Sequence, residues 1–345
     1  MFTRKAIVIP FLIIILLITS LFSVGMGALS ISINQIIAII VNPIGLDTGI
    51  HFEPIQEAVF WSIRLPRIVA AILIGGALAI SGACMQGLFR NPLADPGLIG
   101  ISSGASLSAS IVIVLGLSVG FMGQYFLSTM AFLGAAVVAI IVYNISKTSG
   151  KTVVATMLLA GIAFTALAEA GRGYLSLISS ESELRSVTFW MLGSLGGANW
   201  NSIFVLLPFI MLPTLFILGL GKRLNAFALG EYDAAYMGVN VARLKTQIIL
   251  FTTMAVGASV AVSGLIGFVG LIVPHTLRMA IGPDHKLLLP SSILLGAILL
   301  VVADLLCRTI IAPIEIPIGI ITAALGAPLF ISILIREKKK RQLLL

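Results

Sequence analysis

Arg64-Leu65-Pro66-Arg67 runs into Ile68-Val69-Ala70-Ala71-Ile72-Leu73-Ile74-Gly75-Gly76-Ala77-Leu78-Ala79-Ile80-Ser81-Gly82. The stretch is apolar on every face, so it has neither the two-residue alternation of a half-buried strand nor the polar stripe of a surface helix. Read from about 60 to 87 it exceeds the ~20 residues that cross a bilayer, and its glycines and alanines let another helix approach closely.

The rest of the chain agrees with this stretch. Of 345 residues, 59% are hydrophobic and 10% charged, against roughly a quarter charged in soluble domains, and the mean hydropathy is +1.15. These values exclude a soluble globule and a disordered chain. Runs such as Pro10–Leu17 lack the alternation of a membrane β-barrel. The expected fold is an all-α, polytopic membrane protein, a bundle of about ten helices forming one domain over 1–345. The spans fall near 6–28, 60–87, 96–117, 125–146, 153–177, 202–221, 243–262, 266–281, 287–307 and 314–335. The third is rich in Gly and Ser and the eighth is short, so both belong inside the bundle. The first follows Arg4 and Lys5 like a signal peptide, but its apolar run is too long for one.

Charge sets the orientation. With both termini cytoplasmic, sixteen of the 21 Lys and Arg residues face inward and five (Arg64, Arg67, Arg172, Arg185 and Arg308) face outward, which is the positive-inside bias. The net charge of +8 is thereby explained without nucleic acid.

Two segments break the helical pattern. In Asn91-Pro92-Leu93-Ala94-Asp95-Pro96-Gly97 the prolines force irregular backbone, tolerated at membrane depth only inside protein or along a water-filled path. Residues 224–243 read as two short cytoplasmic helices broken by glycine, around Leu229-Gly230-Glu231 and Gly238-Val239-Asn240. Glu231 and Asp233 argue against this segment lying on an anionic leaflet.

Ionisable residues elsewhere have local partners. Asp304 and Arg308 are four apart, Glu169 and Arg172 three apart, and Glu315 is expected in the first turn of the last span. Cys84 and Cys307 sit in apolar stretches, and His51, His275 and His285 have no shared ligand spacing. Ser149-Gly150-Lys151-Thr152 imitates a phosphate-binding loop, but that loop needs a glycine where Ile145 stands.

The stretch from Arg64, continued by Gln86-Gly87, Arg90–Gly97 and Gly100–Ala105, resembles the permease subunits of binding-protein-dependent ABC importers for ferric siderophores, haem and vitamin B12 (FecCD/BtuC-like). So do Ser263–His275, Pro317-Ile318-Gly319 and Leu325-Gly326-Ala327-Pro328. The motifs stand in family order from about 57 to 336. The resemblance implies a non-catalytic subunit, half of a homodimeric permease in the cell inner (plasma) membrane. Its partners would be a second permease copy, two ATP-binding subunits that hold ATP and Mg, a periplasmic or lipid-anchored substrate-binding protein, and membrane lipid; this chain would bind no cofactor or metal. It further implies that Asn91 and Leu93 serve a cytoplasmic gate. Leu229, Gly230, Glu231 and Gly238 would couple to the ATPase, and Arg64, Arg67 and Arg308 would receive the binding protein. Glu183-Leu184-Arg185, Thr188-Phe189-Trp190 and Gly193–Gly197 look more like haem permeases than siderophore ones, with cobalamin as the alternative cargo.

Two other classes fit less well. An ion-coupled secondary transporter predicts midplane acids and repeated broken helices, whereas the acids here lie near span ends. An intramembrane enzyme would need a nucleophile beside a base, for which Ser263 or Cys307 near His275 is the best available set.

Overall fold

The computed structural model describes residues 2–27, 29–45, 48–117, 123–148 and 151–342. Their helices are α1 Phe2–Gly25, α2 Ile33–Val41, α3 Pro54–Val59, α4 Leu65–Phe89, α5 Ile101–Val114, α6 Gly123–Ile145, α7 Val154–Ile178 and α8 Glu181–Leu192. They continue as α9 Trp200–Leu218, α10 Gly221–Leu229, α11 Glu231–Tyr236, α12 Val241–Ser263, α13 Val269–Ile281, α14 His285–Thr309 and α15 Ile318–Gln342. One two-residue hairpin, Lys147–Thr148 against Lys151–Thr152, joins α6 to α7. The mimic of a phosphate loop falls at this hairpin, and its Ser149 and Gly150 lie outside the described residues.

Each expected span holds a helix, but their lengths differ. Among the described residues seven are long and apolar enough to cross a membrane: α1, the α3–α4 unit, α6, α7, α9, α12 and α14. α5 has 14 residues and α13 has 13, short of the ~20 a crossing needs. Both start after a backbone break. A 3-10 turn over Pro96–Ile99 and the left-handed Gly100 precede α5, and the left-handed Phe268 precedes α13. Two helices were not anticipated: α2, opened by a Ser32–Gln35 capping box, and α8, opened by a Ser180–Glu183 one. Both signatures are legible in the sequence.

The opening stretch becomes the centre of the bundle. Of the apolar window in Pro54–Phe89, 83% is buried, against 22% in α6 and in α7. α14, α13, α12 and α9 pack around α4. Gly75 of α4 and Gly296 of α14 lie backbone to backbone, as do Gly82 and Gly270 of α13, so a Cβ at Gly75 or Gly82 would collide with the facing main chain. Lipid is as apolar as leucine, so such close packing holds the helices together in place of a hydrophobic drive.

Pro66 sits about three turns inside this long unit. It lacks an N–H, and the chain accommodates it with a π turn over Phe60–Arg64, where Leu65 N–H bonds the Phe60 carbonyl. The second span therefore starts at Pro54, and Arg64 and Arg67 lie within the helix.

Candidate functional site

Three polar sites stand out from the apolar bundle. The first lies where α4, α14 and the end of α1 meet. Arg67 Nε donates to Asp304 Oδ1 at 2.7 Å and Nη1 to Glu315 Oε1 at 2.8 Å. Arg308 Nε reaches the other oxygen of Asp304 at 3.1 Å, and its Nη2 donates to the Ser23 carbonyl at 3.0 Å and hydroxyl at 2.8 Å. Arg64 donates to the carbonyls of Val24 and Leu29. One carboxylate thus bridges two guanidiniums, one on each oxygen, and the third guanidinium caps the C-terminal end of α1.

These contacts engage all three of the expected docking arginines within the chain. Arg64 is 4% and Arg67 6% exposed, because the helix runs past them to Pro54 and folds them under the segment after α1. The Arg308 side chain is 10% exposed. The expected place of Glu315 is corrected. It lies in the loop before α15, which begins at Ile318, and its partner is Arg67 of another helix. The pairs Asp304–Arg308 and Glu169–Arg172 form as the spacing predicts. Arg172, counted as external, is buried in α7.

The second site is the loop after α4. Arg90 caps that helix in the left-handed conformation. Asn91 Oδ1 then accepts the Leu93 N–H at 3.0 Å, and Asp95 Oδ1 the Gly97 N–H at 2.8 Å. Asn91 is exposed and Leu93 half-buried. Enclosure pushes the Asp95 carboxyl above its ordinary range, and the Gly97 N–H partly opposes this. Gln86 anchors the base of the loop to α13, donating to the Leu271 carbonyl at 3.0 Å and accepting from Arg278 at 2.8 Å.

The third site is the pair α10–α11. It forms two short helices joined at Gly230, whose φ of 144° and ψ of 156° suit glycine alone. The first starts at Gly221 rather than 224, and Leu224 and Phe227 are buried in the bundle. Leu229, Tyr232, Tyr236 and Met237 remain between 63% and 91% exposed. Gly238, at φ 82°, turns the chain toward α12. Two polar links tie this unit to the bundle. Glu231 accepts from buried Lys245 at 2.7 Å. Asn225 bridges the start of α14, donating to Asp284 at 2.7 Å and accepting the His285 N–H at 2.8 Å. Asn225, Lys245, Gln86 and Arg278 escaped the sequence reading because their partners lie far away along the chain.

The comparisons agree with this architecture. The FecCD transport family pattern matches residues 14–336. The hemin transport system permease protein HmuU of Yersinia pestis is 44% identical over 341 residues, covering 98% of each chain. The vitamin B12 import system permease protein BtuC of Escherichia coli O9:H4 (strain HS) is 38% identical over 85% of this chain and 89% of its own. A solved metal-chelate-type ABC transporter in an inward-facing conformation superposes with a TM-score of 0.83 at 33% identity, covering 95% of this chain and 98% of the other. The chain therefore belongs to the FecCD transport family and is a multi-pass, non-catalytic permease subunit of an ABC importer.

Proposed function

We propose that this chain imports an iron compound, haem or a ferric siderophore, through a path between two permease copies in the cell inner membrane, with both termini cytoplasmic. The observation that carries the coupling half of this reading is the exposed Leu229–Met237 surface. Four large apolar or aromatic side chains stand clear of the bundle, and water disfavours such a patch. Each of two ATP-binding subunits would cover one, and closure of the ATPase pair around ATP and Mg would pull on α10–α11. The Glu231–Lys245 and Asn225–Asp284 links would pass that pull to α12 and α14.

The path is proposed along the exposed face of α7. Glu169 is largely exposed there and paired to Arg172, which also meets Met191 of α8 at 2.9 Å. An ionised pair facing lipid would be costly, whereas one facing a water-filled path is not. Asn91 and Leu93, exposed and half-buried at the loop after α4, would close that path on the cytoplasmic side. On the outer side a periplasmic or lipid-anchored binding protein would dock. Because Arg64, Arg67 and Arg308 are engaged internally, their proposed part in docking is to hold the outer loops in register.

Reconstitution in liposomes tests the whole reading. The chain, a partner ATPase and a binding protein should together drive ATP-dependent uptake of haemin or a ferric siderophore, and omission of any one should stop it. Uptake driven by a proton or sodium gradient without ATPase would overturn it. Cobalamin uptake in preference to both iron compounds would replace the cargo and leave the mechanism.

A further inference from the structure

The membrane-embedded surface between α6 and α12 holds a hollow of about 330 Å³, lined by apolar groups such as Ala136, Ala139, Ile140, Leu250 and Met254. Alanines on α6 make the space. Its outer end is closed by Phe132, which meets Phe209 of α9 edge to face at 5.3 Å. From Phe132 to Tyr143 the hollow follows three turns of α6, roughly 16 Å at ~1.5 Å per residue, or half of a ~30 Å hydrocarbon core.

Apart from Thr253, partway along α12, the polar groups gather at the other end. Tyr143 Oη and Thr246 Oγ1 are 2.6 Å apart across the two helices, with Asn144 beside them. Lys147 Nζ lies over the Tyr143 ring at 4.3 Å, and Arg243, one turn before Thr246 on α12, is exposed. Both helices therefore finish in a cation where the hollow meets the cytoplasmic interface.

We infer that this hollow is a binding site for one anionic phospholipid of the cytoplasmic leaflet, with an acyl chain between α6 and α12 and its phosphate on Lys147 and Arg243. The depth of a single leaflet and the gathering of the charges and most polar groups at one end fit a lipid better than a second protein helix, which would cross both leaflets. Charge complementarity selects the headgroup, since each cation near the surface favours anionic lipid and two together give a preference on the order of 30-fold at low salt.

Native mass spectrometry of the detergent-purified full chain tests this, using phosphatidylglycerol and phosphatidylcholine of the same acyl length. Phosphatidylglycerol should be retained preferentially. Lys147→Ala with Arg243→Ala should equalise the two lipids, and Ala136→Leu, which fills the hollow, should lower retention of both. The double variant lies outside the hollow, so the test survives if Ala136→Leu fails to fold. Equal retention by the unaltered chain, or an undiminished preference in the double variant, would overturn the site. So would an Ala136→Leu chain that loses a dimer while keeping its lipid, because the hollow would then seat a second copy.

Discussion

Lys245 Nζ lies 2.7 Å from Glu231 Oε1 and 3.0 Å from the Thr152 carbonyl, so one buried ammonium joins the α10–α11 pair, α12 and the hairpin before α7. The proposed coupling surface is thus braced by an ionic contact as well as by packing. Glu231→Gln weakens the brace while Lys245 stays buried. Removing one partner of a buried pair costs about 3–5 kcal/mol, but the Glu231 side chain is 39% exposed, so we expect about 1–2 kcal/mol here. Cargo-stimulated ATP turnover in the reconstituted complex should fall several-fold while the melting temperature of the bundle moves little. Normal stimulation would show that the brace carries no motion.

Gly230→Val should act at the same place by a different route. A β-branched residue at φ 144° is strained by about 1–3 kcal/mol, and its Cβ would also press on Asp233 Oδ2, 3.1 Å away. We expect the variant to reach the membrane at normal yield and to lose ATPase capture in pull-down. Gly230→Ala should be intermediate. If the valine variant both captures the ATPase and transports, the α10–α11 corner has no role in coupling.

Asp304→Ala should be the most damaging change at the outer cluster. It leaves Arg67 and Arg308 buried without their shared carboxylate, a loss of about 3–5 kcal/mol. Glu315→Gln should cost under ~1 kcal/mol, because the Glu315 side chain is 48% exposed. Thermal unfolding in detergent should separate the two clearly. Comparable melting temperatures would mean that Asp304 does not hold the cluster together.

Gly82→Leu should prevent assembly. The facing backbone of Gly270 leaves no room for a side chain, and overpacking a close contact costs about 1–3 kcal/mol or more. Size-exclusion chromatography should show aggregated or degraded protein, whereas Gly173→Ala, on the open side of α7 with no neighbour near its Cβ, should behave as the parent.

The membrane class, the order of the spans and the glycine-broken helix pair α10–α11 were legible in the sequence, because each rests on composition or on spacing within one segment. The partnership of Arg67 with Asp304 was not, since it spans 237 residues and depends on how α4 packs against α14. Asp304 offered an obvious local partner in Arg308, and the local bond does form; its second oxygen serves the distant arginine. Pro66 hid the true start of the second span, expected near 60, because nothing in the sequence announces the π turn over Phe60–Arg64 that carries the helix on to Pro54. At α2 and α8 the capping boxes stand in the sequence, but the helices they open are short, 9 and 12 residues, and lack the long apolar run that marks a span.

That π turn also bears on how relatives of this chain should be aligned. A π turn takes in one residue more than the α turn it replaces, and each residue of a helix advances the azimuth by about 100°. Deleting one residue from Phe60–Arg64 would return the segment to an α turn, so the rotation that a deletion causes in a regular helix would not appear and Gln56 would keep its face and its bonds to Ser30 and Gln35. A one-residue gap here between two sequences would therefore mark the presence or absence of the π turn, with the same face of Pro54–Val59 meeting the segment after α1, and should not be moved elsewhere to tidy the alignment.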